Sequence, residues 1–358
     1  MAVIALAGGG TGGHVYPALA MGDALKQRGH TVLYYGDPTR LEARVAPDRG
    51  YAFRPVVAPQ YPRGGISGKV GFAWGLFKAI WASRSQLKAD NVDVVLGVGG
   101  YIAAPTVLAA WTLGLGRVIH EANAVPGLAN KLCARVAQQV LLTYPTTRLP
   151  GGAPTHVVGV PVNPAILQGN NAQAATRYNL DPNRPVVLFV GGSLGAARIN
   201  ELAVAVAQHP ARSFQVLHLC GPRYHQDIQR ALTPLPPDVW LVDYEDRMGL
   251  AYGIANLVVC RAGSATLGEL TAVGRASVLI PSPNVTDNHQ EANARALQEA
   301  GAAQVLVEAD WNVAHAVSQV FDLATNTKQL DAMAAAAQSQ ANVQSAERAA
   351  DVVEGLLG

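Results

Sequence analysis

The chain has 358 residues, of which 49% are hydrophobic and 15% charged, so it is too apolar for a disordered protein and long enough for two domains. A formal net charge of +2 gives no global signal for nucleic acid, and three scattered cysteines, Cys133, Cys220 and Cys260, exclude a disulfide-built scaffold and a cysteine metal site. Met1 to Ala7 lacks a basic leader, so no secretory signal is expected.

Val3–Ala7 reads as a buried parallel strand. It runs into Gly8-Gly9-Gly10-Thr11-Gly12-Gly13-His14, and a helix over 15–28 follows, closed by Gly29. A strand, bare backbone and a helix N-terminus together favour a phosphate. His14 adds a group that exchanges a proton near neutral pH. Gly8-x-Gly10-x-x-Gly13 also satisfies the dinucleotide fingerprint, with Asp37 placed for a ribose. A nicotinamide-dependent oxidoreductase is therefore one alternative.

Further strands are expected over 31–35, 92–98, 118–120, 140–143 and 156–158. Between Asp48 and Asp90 no acidic residue interrupts Arg49, Arg54, Arg63, Lys69, Lys78, Arg84 and Lys88. Val70, Phe72, Trp74, Leu76, Phe77, Ile80 and Trp81 lie among them. Taken alone, this stretch reads as a core helix with a cationic rim. Its other reading is a surface for anionic lipid headgroups, and a purely lipid-binding protein is the non-enzymatic alternative. No nucleic-acid reader signature accompanies it. Residues 94–116 are uncharged and long enough to span a bilayer, but five glycines and Pro105 favour a strand, a loop and a helix.

His120-Glu121-Ala122-Asn123 closes a strand, and Asn130 follows on a helix; such a cluster suits a polyhydroxylated ligand, with His120 itself read as a core histidine. Residues 157–164 read as a connector. The pattern then restarts with Val186–Val190 and Gly191-Gly192-Ser193-Leu194-Gly195. Strands follow over 215–220, 239–242, 257–260, 278–280 and 304–307. Two doubly wound α/β domains in tandem result, with ligands beyond the strand C-termini. In Arg261-Ala262-Gly263-Ser264-Ala265-Thr266-Leu267-Gly268-Glu269, helix N-terminal amides and Arg261 suit a diphosphate, and Glu269 suits ribose hydroxyls. The loop from Asp287 to Asn293 suits sugar hydroxyls. Four glycine loops over two domains point to two phosphorylated ligands rather than one dinucleotide. The sequence has no Asp-x-Asp pair, so leaving-group charge falls to helix N-termini and Arg261. It has no Gly-x-Ser-x-Gly, His-Glu-x-x-His or Walker motif either.

Gly9-Gly10-Thr11-Gly12-Gly13-His14, Gly99-Gly100-Tyr101, His120-Glu121-x-Asn123, Gly191-Gly192-Ser193 with Asn200, Arg261-x-Gly263 with Glu269, and Gln290 with Asn293 occur in this order. The ordered set resembles the MurG family of peptidoglycan glycosyltransferases over essentially the whole chain. The resemblance implies a GT-B fold: two Rossmann-like doubly wound domains facing across a cleft. It implies an acceptor and membrane-docking domain over 1–160, a UDP-GlcNAc domain over 161–335, and a last helix over 336–358 packing back on the first. The implied reaction is inverting transfer of GlcNAc from UDP-GlcNAc to the C4 hydroxyl of undecaprenyl-diphospho-MurNAc-pentapeptide, at the cytoplasmic face of the membrane, without cofactor or metal.

Carried over by position, Thr11, Gly12, Gly13, Asn123, Ser193 and Gln290 are implied to contact the sugar nucleotide. Gly263, Ser264, Ala265, Thr266, Leu267 and Gly268 form its diphosphate loop beside Arg261, Glu269 takes the ribose, and main chain near Glu245 takes the uracil. Gly10, Gly99, Gly100, Tyr101, Asn130 and Asn200 are implied for the acceptor, and His14, with Glu121 as alternative, for the general base. Lys69, Phe72, Trp74, Phe77, Lys78, Trp81 and Arg84 match the docking region. The chain departs from the family pattern at Ala103, Ala122, Leu194 and His289. It departs also at Asn163, where the family carries an arginine.

Overall fold

The structure is a computed structural model that describes residues 1–60, 66–285 and 288–357, with side chains of 66–68 excepted. It divides into two compact units, Met1–Asn163 with Asn342–Gly358, and Pro164–Ala341.

In the first unit seven parallel strands lie in the order β3-β2-β1-β4-β5-β6-β7. They are β1 (Val3–Ala7), β2 (Thr31–Gly36), β3 (Ala52–Pro55), β4 (Val94–Gly97), β5 (Gly116–Glu121), β6 (Gln139–Leu142) and β7 (Thr155–Val157). The helices are α1 (Gly12–Gln27), α2 (Glu42–Asp48), α3 (Ile66–Ala89), α4 (Ala103–Leu113) and α5 (Leu128–Cys133). Alternation along β1 divides the core. Ile4 and Leu6 pack with Val15, Leu19 and Leu25 of α1, whereas Ala5 and Ala7 pack on the opposite face with Leu87 and Val107. Helix α1 begins at Gly12 rather than at residue 15, so half of the glycine loop is already helical. The periodicity missed β3, an edge strand carrying Arg54 and Pro55 that is half exposed. Its arginine pairs with Asp90 at 2.7 Å. Residues 94–116 form β4, a loop and α4, and among the described residues no helix is long and apolar enough to cross a membrane.

The second unit has six parallel strands in the order β10-β9-β8-β11-β12-β13. These are β8 (Val186–Val190), β9 (Gln215–Leu219), β10 (Val239–Val242), β11 (Leu257–Cys260), β12 (Ala276–Leu279) and β13 (Ala303–Val305). Its helices are α6 (Asn171–Tyr178), α7 (Ala197–Ala207), α8 (His225–Ala231), α9 (Met248–Ile254), α10 (Ser264–Val273), α11 (His289–Glu299), α12 (Val313–Ala324) and α13 (Thr327–Ser339). Leu188 faces a core shared with α9 and α10, and Phe189 one shared with α7 and α12.

The C-terminal return is shorter than the resemblance implied. Helix α13 stays with the second unit, and only the chain from Asn342, with α14 (Ser345–Glu354), joins the first. Ala349, Ala350 and Val353 of α14 enter the β1 core. Arg28 at the end of α1 pairs with Glu347, Asp351 and Glu354 at 2.6, 2.7 and 2.8 Å. The apolar spacing of α14 supplies the burial, and its acidic face matches Arg28.

Candidate active site

Each sheet reverses its strand order once, between β1 and β4 in the first and between β8 and β11 in the second. Such switch points are where ligands enter doubly wound sheets. All four glycine loops that the sequence singles out leave these four strands.

At the first switch point the two loops interlock. A Cβ on Gly100 would lie 2.5 Å from the Gly9 carbonyl oxygen, and Gly100 has φ +77°. A Cβ on Gly99 would lie 2.9 Å from the His14 ring, so the bare backbone admits the imidazole. His14 stands in the first turn of α1, half buried, with Thr11 Oγ1 3.3 Å from its Nδ1. The Tyr101 hydroxyl donates to Asp37 at 2.5 Å. Asp37 also accepts from Thr39 at 2.7 and 2.8 Å, so it serves this loop rather than a ribose.

Sequence reasoning missed Glu42. This carboxylate in the first turn of α2 is fully buried and accepts N–H groups from Gly10 at 3.1 Å and Asp37 at 3.2 Å. A Cβ on Gly9 would fall 1.9 Å from its Oε1. The Gly10 amide, expected to meet a ligand phosphate, is therefore held by an internal anion that sets the loop's shape. Nothing local to the glycine motif marks a glutamate 32 residues away.

His120 is a core histidine: its Nε2 meets the Gly159 carbonyl at 3.0 Å, and burial pushes its pKa down to about 4. Glu121 is buried too. Its Oε1 accepts from the Asn123 backbone and amide at 3.0 and 3.2 Å, and its Oε2 from Gly127 N–H and Asn130 at 3.2 and 2.9 Å. A carboxylate offers about four lone-pair sites, and all are taken. Glu121 therefore braces the Asn123–Asn130 loop, which corrects its reading as an alternative base. Asn130 donates also to the His120 carbonyl at 3.0 Å, while its buried Oδ1 accepts no hydrogen bond among the described residues.

At the second switch point, Ser193 lies exposed on the loop after β8. Gly263 caps α10 ahead of its first-turn amides, and a Cβ there would meet nothing within 4 Å. Those N–H groups have no acceptor inside the helix and sit at its positive end. Ala265, Thr266 and Gly268 are half exposed, whereas the Leu267 side chain is in the core and leaves only its backbone to a ligand. Glu269 accepts the Tyr252 hydroxyl at 2.9 Å, and burial pushes its carboxyl up to about 7. Gln290, in the first turn of α11, accepts Ser282 N–H at 2.9 Å.

Two expectations change here, those for Arg261 and Asn200. Arg261 is ion-paired to Glu308 at 2.5 Å and donates to the Ile280 carbonyl at 2.9 Å, so its charge is compensated rather than offered to a diphosphate. The Asn200 side chain is 2% exposed, donates to the Cys220 carbonyl at 3.0 Å and meets His218 at 2.9 Å. It fixes α7 to β9 and cannot reach an acceptor. The Glu245 side chain is buried against Arg177 at 2.8 Å and the Tyr178 hydroxyl at 2.7 Å. Only main chain at 245 is left for a base. Arg63 and Asp287 lie outside the described residues.

Helix α3 turns its aromatic residues outward. Trp74, Phe77 and Trp81 are 59%, 54% and 62% exposed, and their rings stack with centroids 5.7 and 6.3 Å apart. Lys78 lies over Trp74 and Arg84 over Trp81, at 5.3 and 6.0 Å, and Lys69 is exposed. Phe72 is half buried. The buried side of the helix is Ala79, Ser83 and Leu87, so the core-helix reading does not account for the aromatic residues.

Two parallel-sheet Rossmann-like units, each with paired glycine loops at its switch point, define a GT-B-type architecture. The chain matches the glycosyltransferase family 28 N-terminal domain over residues 4–142 and the corresponding C-terminal domain over 186–352. It is 41% identical to a UDP-N-acetylglucosamine–N-acetylmuramyl-(pentapeptide) pyrophosphoryl-undecaprenol N-acetylglucosamine transferase of Clavibacter sepedonicus, covering 99% of this chain and 96% of that one. The protein of the same name from Salinibacter ruber is 38% identical, covering 96% and 94%. The crystal structure of Acinetobacter baumannii MurG superposes with a TM-score of 0.81 at 31% identity, over 99% of this chain and all of that one. The chain belongs to the MurG family of glycosyltransferase family 28.

Proposed function

We propose that this protein transfers GlcNAc from UDP-GlcNAc to the C4 hydroxyl of undecaprenyl-diphospho-MurNAc-pentapeptide, with inversion at the anomeric carbon. The observation that carries the reading is the pair of glycine-loop switch points, one beside a histidine and one at the N-terminus of α10, in a chain of this family. In the second unit the α10 amides receive the donor diphosphate, Glu269 the ribose hydroxyls, main chain at 245 the uracil, and Ser193 and Gln290 the remaining polar edges. In the first unit Gly99, Gly100, Tyr101 and Asn130 border the acceptor.

The acceptor hydroxyl must lose its proton as it attacks, and His14 is the titratable group beside the interlocked loops. Departing UDP gains charge on its β-phosphate, which the helix N-terminus stabilises without reorganising. The exposed aromatic and basic face of α3 supports docking on an anionic membrane surface at its cytoplasmic side. The test is UDP release from UDP-GlcNAc with purified lipid-linked muramyl acceptor, chelator present throughout. Release that requires the acceptor is expected. Protection of the protein by NAD(P) but not UDP-GlcNAc would overturn the reading, as would vesicle binding with no UDP release on any acceptor.

A further inference from the structure

We propose that the apolar cleft between α3 and the segment leaving β3 receives the first isoprene units of the acceptor's polyprenyl chain, an assignment that rests on the transfer reaction above. The cleft encloses about 490 Å³ and is lined chiefly by Val56, Pro59, Gly75, Ala79 and Ala82, with Lys78 at its rim. That volume is in the range of small-molecule sites. Gly75 helps shape it: a Cβ there would come within 3.1 Å of Pro59.

The position of the cleft argues for the occupant. Strand β3 pairs with β2 so that Pro55 lies opposite Gly36, which puts the cleft at the same C-terminal sheet edge as the glycine loops. A run of contacts joins them. The His14 ring lies against Gly99, and Tyr101 next in that loop binds Asp37. Arg40 and Gln60 stand against the same Tyr101 hydroxyl, and Gln60 adjoins Pro59 of the cleft wall. A sugar on a polyprenyl diphosphate has three parts in fixed order: hydroxyl-bearing ring, pyrophosphate and hydrocarbon. Along this edge the protein offers a proton acceptor, a cation and an apolar cleft in the same order. Asp37 lies in this run as well, its carboxylate occupied by Tyr101 and Thr39.

Cleft and aromatic face use different strips of one helix. Gly75, Ala79, Ala82 and Gln86 follow helical spacing, five residues on from the strip of Val70, Trp74, Phe77 and Trp81, a rotation of about 140°. The outward strip meets the membrane surface, and the adjacent cleft takes the chain that rises from it.

The test is Ala82→Phe, which fills the cleft from its exposed side. UDP release is measured with the undecaprenyl-linked acceptor and with the same acceptor carrying a methyl group in place of the chain. We expect KM for the long-chain acceptor to rise about tenfold, in line with the loss of roughly two methylenes' contact, with the methyl acceptor and the KM for UDP-GlcNAc unchanged. Equal effects on both acceptors, or none on either, would overturn the assignment. So would a parallel loss of acceptor-free binding to phosphatidylcholine–phosphatidylglycerol vesicles, which would give the cleft to phospholipid chains. In the unmodified protein, a photoreactive polyprenyl diphosphate should crosslink to the peptide 70–88, and crosslinking only elsewhere would also refute it. A wild type inert on both acceptors sinks the transfer reading, whereas chain-length indifference sinks only the cleft.

Discussion

His14 and Glu269 carry the sharpest expectations at the residue scale. Because a positioned base contributes roughly 10²–10⁴ in rate, His14→Ala should cut kcat by that order and leave UDP-GlcNAc affinity unchanged in calorimetry. Wild-type turnover in the variant would remove the proton-transfer role. Burial holds the Glu269 carboxyl at about 7, above its ordinary 4.5, so it ionises only as pH passes that value. A ribose diol donates hydrogen bonds that the ionised form accepts best, hence UDP-GlcNAc should bind more tightly as pH rises through 7 and level off above it. The same shift acts on stability with the opposite sign. Its contribution is fully present below pH 4.5 and is lost as pH rises through 7. Glu269→Gln should flatten the binding profile; a wild-type Kd constant between pH 6 and 8 would refute this. Both residues were legible in the sequence because each follows a glycine loop. Glu42 was not, since its role arises only where α2 folds under Gly9 and Gly10.

Helix α3 shows at the element scale how composition can mislead and spacing can correct it. Seven apolar side chains over 70–81 looked sufficient for a core. In the fold the small residues Ala79 and Ser83 face inward, and Trp74, Phe77 and Trp81 face solvent. Large aromatic residues left exposed beside Lys69, Lys78 and Arg84 suit a headgroup interface. Replacing all three with glutamine should weaken binding to anionic vesicles, leave UDP affinity intact and not lower the melting temperature. Partitioning equal to wild type would strip α3 of the docking role. Strand β3 erred in the other direction, because an edge strand with one proline and one paired arginine lacks the alternation that marks its neighbours.

On the scale of the whole molecule, the first unit is closed by chain from the far end. Val353 is fully buried in the β1 core. Val353→Asp places a carboxylate there without a partner, a change that typically costs several kcal/mol. Hydrogen exchange should then accelerate in β1 and α1 while β8 keeps its protection. Unchanged protection of β1 would show that α14 does not support that core. The periodicity of the tail announced a helix but could not say which sheet it would cover. That choice depended on the Arg28 cluster and on an apolar groove that exists only once α1 is docked.

By itself the sequence determined the parallel α/β class, the restart of the pattern near residue 186, and the four glycine loops, since alternating apolar runs and bare backbone are local signals. Tertiary structure alone decided which polar groups remain available to a ligand. Glu121, Asn200 and Arg261 carry the right chemistry in the right motifs, yet folding supplies each with internal partners, because buried polar groups must be satisfied before any substrate arrives.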